Sequence, residues 1–567
     1  MDINIVIGGA AGQGLETIAY LLSKSLVRMG YGVRTSRDYM SRVRGGHNFS
    51  RLRISADSPM AAAEQIDILV ALNEETYDLH RDFLTANGRV IYDPDSFSLP
   101  ESESRGTPVQ LQALAQEAGG AIMSNTVATG AVLVLLGMDT AAAEKLLVEE
   151  FTGKEGVAES NIAALKAGYQ AASKTCSACF ELPAQNRKPA SQIFLEGNEA
   201  LGMAALASGC RFLSAYPMTP STGIMDYLAG KQGAYDVVVE QAEDEIAAIN
   251  MALGASYAGV RSMTSTSGGG FALMTEGLSL AGMTETPLVI ILSMRPGPAT
   301  GLPTRTEQGD LDFSLYGGHG EFARAVLSAT SLEDAFYRLN KAFDLAEKYQ
   351  IPVIFLSDQD FADTSRSLAP YDFARLRYDR HLLETWESRP RYQRYTFTEN
   401  GLSPRAFPGQ FPGETVLADS DEHDEDGHII EDAETRKKMV NKRLARLELL
   451  AAEMDEPLHY GAHEPDLLLV GWGSTYGALR EAVDILALKG NNVALLHFSD
   501  LWPFPAKTLT ELLPRVHKSF CVENNATGQL AKLIKGQTGL SLDHHILKYD
   551  GRPFLPADIV REVKIHG

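Results

Sequence analysis

The sequence predicts an α/β protein made of several doubly wound domains with mainly parallel sheets. Three observations carry this. The chain has 567 residues, which at roughly 100–200 residues per domain means several domains with substantial cores. Short apolar runs alternate with helix-length amphipathic stretches along most of it. Glycines and prolines mark the points where those runs end.

Taken in order, residues 3–7 are an apolar run followed by GGAAGQG (8–14) and a helical pattern over 15–29, which reads as strand, glycine-rich turn, helix. Strands are expected at 32–35, 68–71 and 89–92, so 1–180 forms a first α/β domain. Residues 181–195 mix Pro, Lys, Ser and polar residues without periodicity and read as a linker. A second unit, 196–375, has strands at 212–215, 236–239, 262–266, 288–294 and 353–356, with helices at 244–257, 270–282 and 332–349. That alternation implies a parallel sheet, whose ligands lie beyond the carboxyl ends of the strands. From 376 to 460 the pattern weakens into prolines, aromatics and the acidic run DSDEHDEDG (419–427), expected as solvated loop, followed by a helix rich in Lys and Arg. A third α/β unit, 461–567, takes strands at 466–470, 493–497 and 520–523.

Composition narrows the function classes. A hydrophobic fraction of 44% and a charged fraction of 22% are ordinary for a water-exposed globular protein. The apolar runs fall far short of the about 20 residues that span a bilayer, and residues 1–14 carry no basic targeting region, so no membrane role is expected and the cytoplasm is the expected location. The four cysteines (Cys176, Cys179, Cys210, Cys521) argue against a disulfide framework and fit a reducing compartment. A net charge of −22 disfavours nucleic acid. One segment runs against that average: 28–53 holds seven arginines and one acid, Asp38, which reads either as a local anion site or as a solvated basic face.

Four stretches place unusual residues where a strand ends: SAYPMTPST (214–222), VVVEQAEDEIAAINMALGASYAG (237–259), STSGGG (265–270) and SMRPGPATGLPTRTEQGDL (293–311). The YPMTPST segment resembles the YPITPSS-type motif of the 2-oxoacid:ferredoxin oxidoreductases. The helix starting at Glu245, with Gly254 and Gly259 beyond it, is similar to the one carrying their thiamine-activating glutamate. PATGLPTRTEQGDL resembles the α-subunits of the 2-oxoglutarate and related 2-oxoacid enzymes, and ENNATGQL (523–530) with KYDGRPF (548–554) resembles the family's C-terminal domain. GGAAGQG and SRVRGGHN (41–48) are like the family's γ-type domain, so the resemblance spans nearly the whole chain. It implies a γ-type domain fused ahead of an α-type subunit, with a central thiamine-diphosphate-binding, pyrimidine-type fold and a transketolase-C-like domain at the end.

The resemblance also assigns roles. Thiamine becomes nucleophilic when its own amino group, as the imino tautomer, removes the C2 proton, and a carboxyl sharing a proton with the pyrimidine nitrogen favours that tautomer. Glu245 is expected to be that carboxyl, dehydrated beside Ile246, Ala247 and Ala248. On the residues alone, Glu243, Asp244 and Glu245 equally suit the positive end of a helix dipole. Tyr216 and Pro217 are implied at the cofactor. Thr219 is implied at the substrate carbonyl, with Ser221 the better-placed helix cap. Arg295, ending an apolar strand, is implied as the clamp on the C1 carboxylate, and Arg305 and His319 are the candidates for a distal one. In the γ-type domain, Gly12, Gly14, Arg42, Arg44, Gly45 and Gly46 are implied in holding coenzyme A phosphates, which suits a strand–glycine–helix turn.

Half of the family's cofactor site is missing from these residues. No Gly-Asp-Gly occurs, and Cys176 and Cys179 are the one close cysteine pair, which suits redox or zinc chemistry or none. The resemblance therefore places Mg2+, the diphosphate and a 4Fe-4S cluster on a β-type partner, in a heterodimer or its dimer. The implied reaction is oxidative decarboxylation of 2-oxoglutarate with coenzyme A to succinyl-CoA and CO2, with electrons passing to ferredoxin, or its reverse as in a reductive TCA cycle. A pyruvate or branched-chain 2-oxoacid enzyme is the alternative within the class. A nucleotide-dependent oxidoreductase built on the 8–14 loop is the alternative outside it, although GGAAGQG departs from G-x-G-x-x-G and Thr219, Glu245 and Arg295 are then unused. A scaffold without catalysis would tolerate loss of Glu245.

Overall fold

A computed structural model describes residues 2–41, 46–183, 192–387 and 391–566. The chain divides into two compact units, the first made of Met1–Glu196, Asp363–Pro370 and Leu555–Asp558, the second of the remainder.

The sheet of the first unit has eight strands in the order β6-β5-β4-β1-β3-β2-β14-β7. They are β1 (Ile3–Ala10), β2 (Gly32–Asp38), β3 (His47–Ser55), β4 (Ile66–Ala71), β5 (Leu84–Tyr92), β6 (Gly106–Pro108), β7 (Ile193–Glu196) and β14 (Ser365–Leu368). The β6-β5-β4-β1 half is parallel, as patterning predicts. The other half is antiparallel, because β3, which the sequence reading passed over, inserts between β1 and β2. Its alternation explains the arginine-rich stretch: Ser50, Leu52 and Ile54 are buried while Arg51 and Arg53 take the opposite face. An antiparallel neighbour beside β1 also departs from the parallel arrangement of a dinucleotide-binding fold.

The second unit holds two sheets. The larger has the order β18-β12-β13-β11-β10-β8-β9. Its strands are β8 (Phe212–Ala215), β9 (Val238–Gln241), β10 (Ser262–Thr266), β11 (Leu288–Met294), β12 (Ala325–Ser328), β13 (Pro352–Asp358) and β18 (Asp500–Trp502). Every pair is parallel except β12 with β18. All seven residues of β11 are buried, as in a strand covered on both faces. The smaller sheet, β15-β17-β16-β19-β20, comprises β15 (Leu458–Gly461), β16 (Leu467–Trp472), β17 (Val493–Phe498), β19 (Lys518–Glu523) and β20 (His544–Leu547). One hydrophobic core runs through both sheets, from Ile290 and Ile354 to Val470, Leu496 and Ile534.

The stretch after β14 is a clasp made by buried charge. Glu285, fully buried, accepts from Lys442 (2.8 and 2.9 Å) and from Arg446. Arg394 gives one nitrogen to Glu285 O and another to Gln350 Oε1, both at 2.7 Å, and Arg446 also caps Tyr349 O and Gln350 O. The basic helix, Ala433–Ala451, thus turns Lys442 and Arg446 inward onto the ends of two core helices, and its buried Arg443 onto Glu422. The acidic run is not the solvated loop expected from its composition. Glu422 pairs with Arg436 and with Arg443 (2.8 Å), and His423 is buried against Tyr395, because that basic helix supplies the opposite charges. Cys176 and Cys179 are paired with each other as a disulfide, where the sequence argued against a disulfide framework, and Cys210 and Cys521 are buried thiols. Among the described residues, no helix is long and apolar enough to cross a membrane.

Candidate active site

The residues singled out in the second unit, together with Asp358, which the sequence did not mark, lie at the ends of neighbouring parallel strands. Tyr216–Thr219 follow β8, Glu245 follows β9, the glycines 268–270 follow β10, Arg295 follows β11, and Asp358 ends β13. A row of strand carboxyl ends is where an open α/β sheet presents its ligand site.

Glu245 opens the helix Glu245–Tyr257, but helix charge does not account for it. Asp244 is the N-cap, its carboxylate taking the Ala247 N–H at 2.7 Å, and Glu243 is exposed. Glu245 itself is 4% exposed, and its Oε1 is buried with no hydrogen-bond partner. The apolar surroundings expected from Ile246 are corrected: Ile246 is 51% exposed, because a residue next to an inward one on a helix points away. Glu245 packs instead on the helix Gly268–Met283. A Cβ added to Gly270 would lie 2.7 Å from both Glu245 Cγ and Oε1, so only glycine allows this approach. A Cβ on Gly268 would meet Asp310 Oδ2 at 2.6 Å. Asp310 Oδ2 is also buried and unpartnered, and burial pushes that carboxyl up to about 6. Buried polar atoms are normally paired, so unpaired oxygens around one glycine turn are what a ligand's donors would satisfy.

Arg295 is half-buried and gives Nη1 to Thr219 O (2.7 Å), which fastens the β11 strand end to the YPMTPST loop. Burial lowers its pKa from the usual arginine range. Ser221 occupies the N-cap position of helix Thr222–Ala229 but does not cap it. Its hydroxyl donates to Met218 O at 2.8 Å. Tyr216 is 39% exposed and Pro217 half-buried. Arg305 is half-buried, its Cβ 3.1 Å from where a Cβ on Gly551 would sit. His319 is exposed, with its N–H on Ser279 Oγ (2.8 Å).

The C-terminal motifs have a role that sequence reasoning missed. Gln308, fully buried, donates N–H to Asn524 O (2.7 Å), accepts the Asn524 N–H (2.9 Å) and donates Nε2 to Trp472 O (2.8 Å). Glu523 Oε2 takes Trp472 Nε1 (3.3 Å), Asn525 Nδ2 (2.9 Å) and Leu530 N–H (2.8 Å), a carboxylate at the N-terminus of helix Gln529–Thr538. TEQGDL, ENNATGQL and GWGST are therefore one polar seam within the second unit. Their spacing carried no sign of it, because the linked residues lie far apart in the chain, 51 residues for Trp472 and Glu523, 164 for Gln308 and Trp472 and 216 for Gln308 and Asn524.

In the first unit, Gly14 is the left-handed N-cap of helix Leu15–Arg28, and a Cβ there would lie 1.8 Å from Asn125 Nδ2. Gly12 and Gly46 also have positive φ, at 90° and 76°. A cleft of about 400 Å3 opens beside Gly12, Gly14, Arg37, Tyr39 and Asn48. Arg42, Arg44 and Gly45 lie outside the described residues. The other arginines of 28–53 do not form a free basic face: Arg28 meets Glu149, Arg37 meets Glu16, Glu196 and Asp363, and Arg53 meets Asp2.

Residues 4–171 match the family described as pyruvate ferredoxin/flavodoxin oxidoreductase. Residues 203–442 match the thiamine-diphosphate-binding pyruvate flavodoxin/ferredoxin oxidoreductase family, and 465–559 match pyruvate:ferredoxin oxidoreductase core domain II. A 2-oxoacid:ferredoxin oxidoreductase subunit alpha of Sulfolobus sp is 34% identical, over 98% of this chain and 95% of its own length. The 2-oxoglutarate oxidoreductase subunit KorA of Mycobacterium tuberculosis is 31% identical over 99% of this chain and 91% of its own. A solved 2-oxoglutarate:ferredoxin oxidoreductase from Magnetococcus marinus, with 2-oxoglutarate, coenzyme A and succinyl-CoA bound, superimposes with a TM-score of 0.93 at 32% identity, covering 100% of this chain and 99% of that one. Matched end to end by such relatives, the chain belongs to the 2-oxoacid:ferredoxin oxidoreductases, as an alpha subunit with the γ-type domain fused at its N-terminus.

Proposed function

We propose that the chain is the α-type subunit of a cytoplasmic 2-oxoglutarate:ferredoxin oxidoreductase, converting 2-oxoglutarate and coenzyme A to succinyl-CoA and CO2 and passing two electrons to ferredoxin. The observation that carries it is Glu245: a buried carboxyl with an unpartnered oxygen, brought against a helix turn that only glycine permits. That environment fits the pyrimidine edge of thiamine diphosphate, whose ring nitrogen would share the proton of the carboxyl. When bound, the cofactor supplies the carbon nucleophile that adds to the 2-oxo group and takes up the electron pair left by CO2. In this reading Tyr216 and Pro217 line the cofactor, Thr219 faces the substrate carbonyl and Arg295 holds the C1 carboxylate, a pairing that compensates its partial desolvation. Arg305 and His319 are the candidates for the distal carboxylate.

The partner in this reading is a β-type subunit holding Mg2+, the diphosphate and a 4Fe-4S cluster. Exposed apolar side chains beside Glu245, among them Ile246, Met251 and Leu273, suit a subunit contact there. Coenzyme A is assigned to the glycine turn of the first unit with Arg42, Arg44 and the Gly45–Gly46 pair. Preference for 2-oxoglutarate over pyruvate or a branched-chain 2-oxoacid rests on the names of the KorA relative and the Magnetococcus enzyme. The test is Glu245→Gln in the complex with the β-type partner. Assembly should persist while turnover and exchange of the thiamine C2 proton fall by two or more orders of magnitude, since an amide cannot share that proton. Wild-type exchange in the variant would assign cofactor activation to another residue.

A further inference from the structure

The segment leaving β11 at Arg295 folds back on itself, Leu302 giving its N–H to Pro296 O at 3.0 Å, and runs on to Arg305 and Thr306. Just after Arg305 it is fastened at several points. Thr306 N–H donates to Gly551 O (3.3 Å), Thr306 Oγ1 accepts the Asp360 N–H (3.2 Å), and the Thr306 hydroxyl bonds the Asp358 carboxyl. Asp358, 2% exposed, also takes the Ser474 hydroxyl at 2.5 Å and the Phe361 N–H at 3.0 Å. One carboxyl therefore joins the end of β13, the loop from β11 and the turn Gly473–Thr475. In the β11–β13 ladder Asp358 lies opposite Met294, the residue before Arg295.

Stability alone does not account for a buried acid here. Burial, with Asp360 adding to it, pushes the Asp358 carboxyl up to about 7 despite its hydrogen bonds, so the group is costly to keep. Apolar side chains would join the same stretches at lower cost. What hydrogen bonds add is fixed geometry, and the residue they fix directly follows Arg305.

We propose that Asp358 is a positioning residue for 2-oxoacid recognition: by holding Thr306 and Ser474 on one carboxyl, it sets the reach of Arg305 relative to Arg295 and so the length of dicarboxylate the site takes. This rests on the reading that Arg305 meets the distal carboxylate. Two guanidiniums at a fixed separation discriminate by chain length, whereas a loose loop admits several lengths.

The test uses the complex with its β-type partner and the variants Asp358→Asn, Thr306→Val and Ser474→Ala. KM is measured for 2-oxoglutarate, for 2-oxobutyrate, which lacks the second carboxylate, and for coenzyme A. Thr306→Val and Asp358→Asn should raise the KM for 2-oxoglutarate about tenfold, the effect of one buried hydrogen bond, and move the other two by less than about twofold. Ser474→Ala should act in the same direction. An equal rise for both 2-oxoacids, or no change for either, overturns the proposal. Wild-type kinetics test the underlying reading separately, because a wild-type complex that takes 2-oxobutyrate and rejects 2-oxoglutarate refutes that substrate and the dicarboxylate role of Asp358 with it. Hydrogen exchange across 302–308 reports the tether itself: faster exchange in Thr306→Val supports it, and unchanged exchange overturns it.

Discussion

Replacing Glu285 by Gln should be among the most damaging single changes outside the candidate site. The side chain keeps its shape but loses the charge that Lys442 meets at 2.8 and 2.9 Å and that Arg446 also meets. Glu285 is 0% exposed, Lys442 5% and Arg446 1%, so water cannot replace the lost partner. Burial alone would raise the Glu285 pKa, but Arg446, Lys442 and Arg394 together hold the carboxyl well below the usual range. Removing one member of such a buried cluster costs about 3–5 kcal/mol. The pH dependence follows from Lys442, which burial pushes down to about 7 against the pull of Glu285. In the variant Lys442 can shed its proton, at a cost that grows as pH falls, whereas Arg446 cannot. The loss should therefore lie near 3 kcal/mol at pH 8 and rise toward about 5 at pH 6. At on the order of 2 °C per kcal/mol for a unit of this size, the melting temperature drops by roughly 6–10 °C. Scanning calorimetry of the full chain, with hydrogen exchange on the helix Ala433–Ala451 to identify the unit that opens, measures this. A Glu285→Gln protein melting within about 2 °C of wild type, with that helix still protected, would refute the reasoning.

Two further predictions concern substrate and pH. Arg295→Ala should raise the KM for every 2-oxoacid, a loss of roughly 2–5 kcal/mol if the C1 carboxylate is left without its partner; Arg305→Ala should hurt 2-oxoglutarate more than 2-oxobutyrate, and steady-state kinetics with both substrates would expose either error. In the first unit, His47 and His80 face each other with Nε2 atoms 3.0 Å apart, and burial, with His47 and Arg51, pushes His80 down to about 3. The unfolded chain binds that proton near pH 6.5 and the folded chain does not, so stability should fall by roughly 2–4 kcal/mol as pH drops from 6.5 toward 4. His80→Phe should flatten that slope in urea titrations, and an unchanged slope would clear the pair of responsibility.

How far the sequence could be read depended on whether a residue's partners were local. The strands β11 and β13 announce themselves as apolar runs, and Arg295 stands out because it follows β11 directly, whereas Thr219 and Glu245 lie a few residues beyond the short strands β8 and β9. β3 was hidden because its polar face is arginine, and a count of charge over 28–53 obscured the alternation of Ser50, Leu52 and Ile54. β14 is four residues, SRSL, with no apolar pattern, and it becomes a strand only by pairing with β2 and β7. Gln308, Asn524 and Asp358 look like surface residues in one dimension, since a buried polar group is identified by partners the sequence does not place beside it. The acidic run and the basic helix were each legible as charge, and only the structure showed that His423 on one and Lys442, Arg443 and Arg446 on the other are buried, with Arg443 paired to Glu422.

The late arrival of β14 bears on how the chain is made. Arg34, buried on β2, reaches Thr364 Oγ1 at 3.0 Å, and Val33 N–H reaches Ser367 Oγ at 2.9 Å. During synthesis the first unit emerges up to β7 and then waits while about a hundred and seventy more residues are added before residues 365–368 leave the ribosome. Through that interval the β2 edge has no strand on it, which is the condition under which an open edge recruits a strand from another nascent chain. Residues 363–370 thus act as a timed closure of the N-terminal sheet. A truncation after residue 196, made to isolate that domain, exports the same open edge into the test tube.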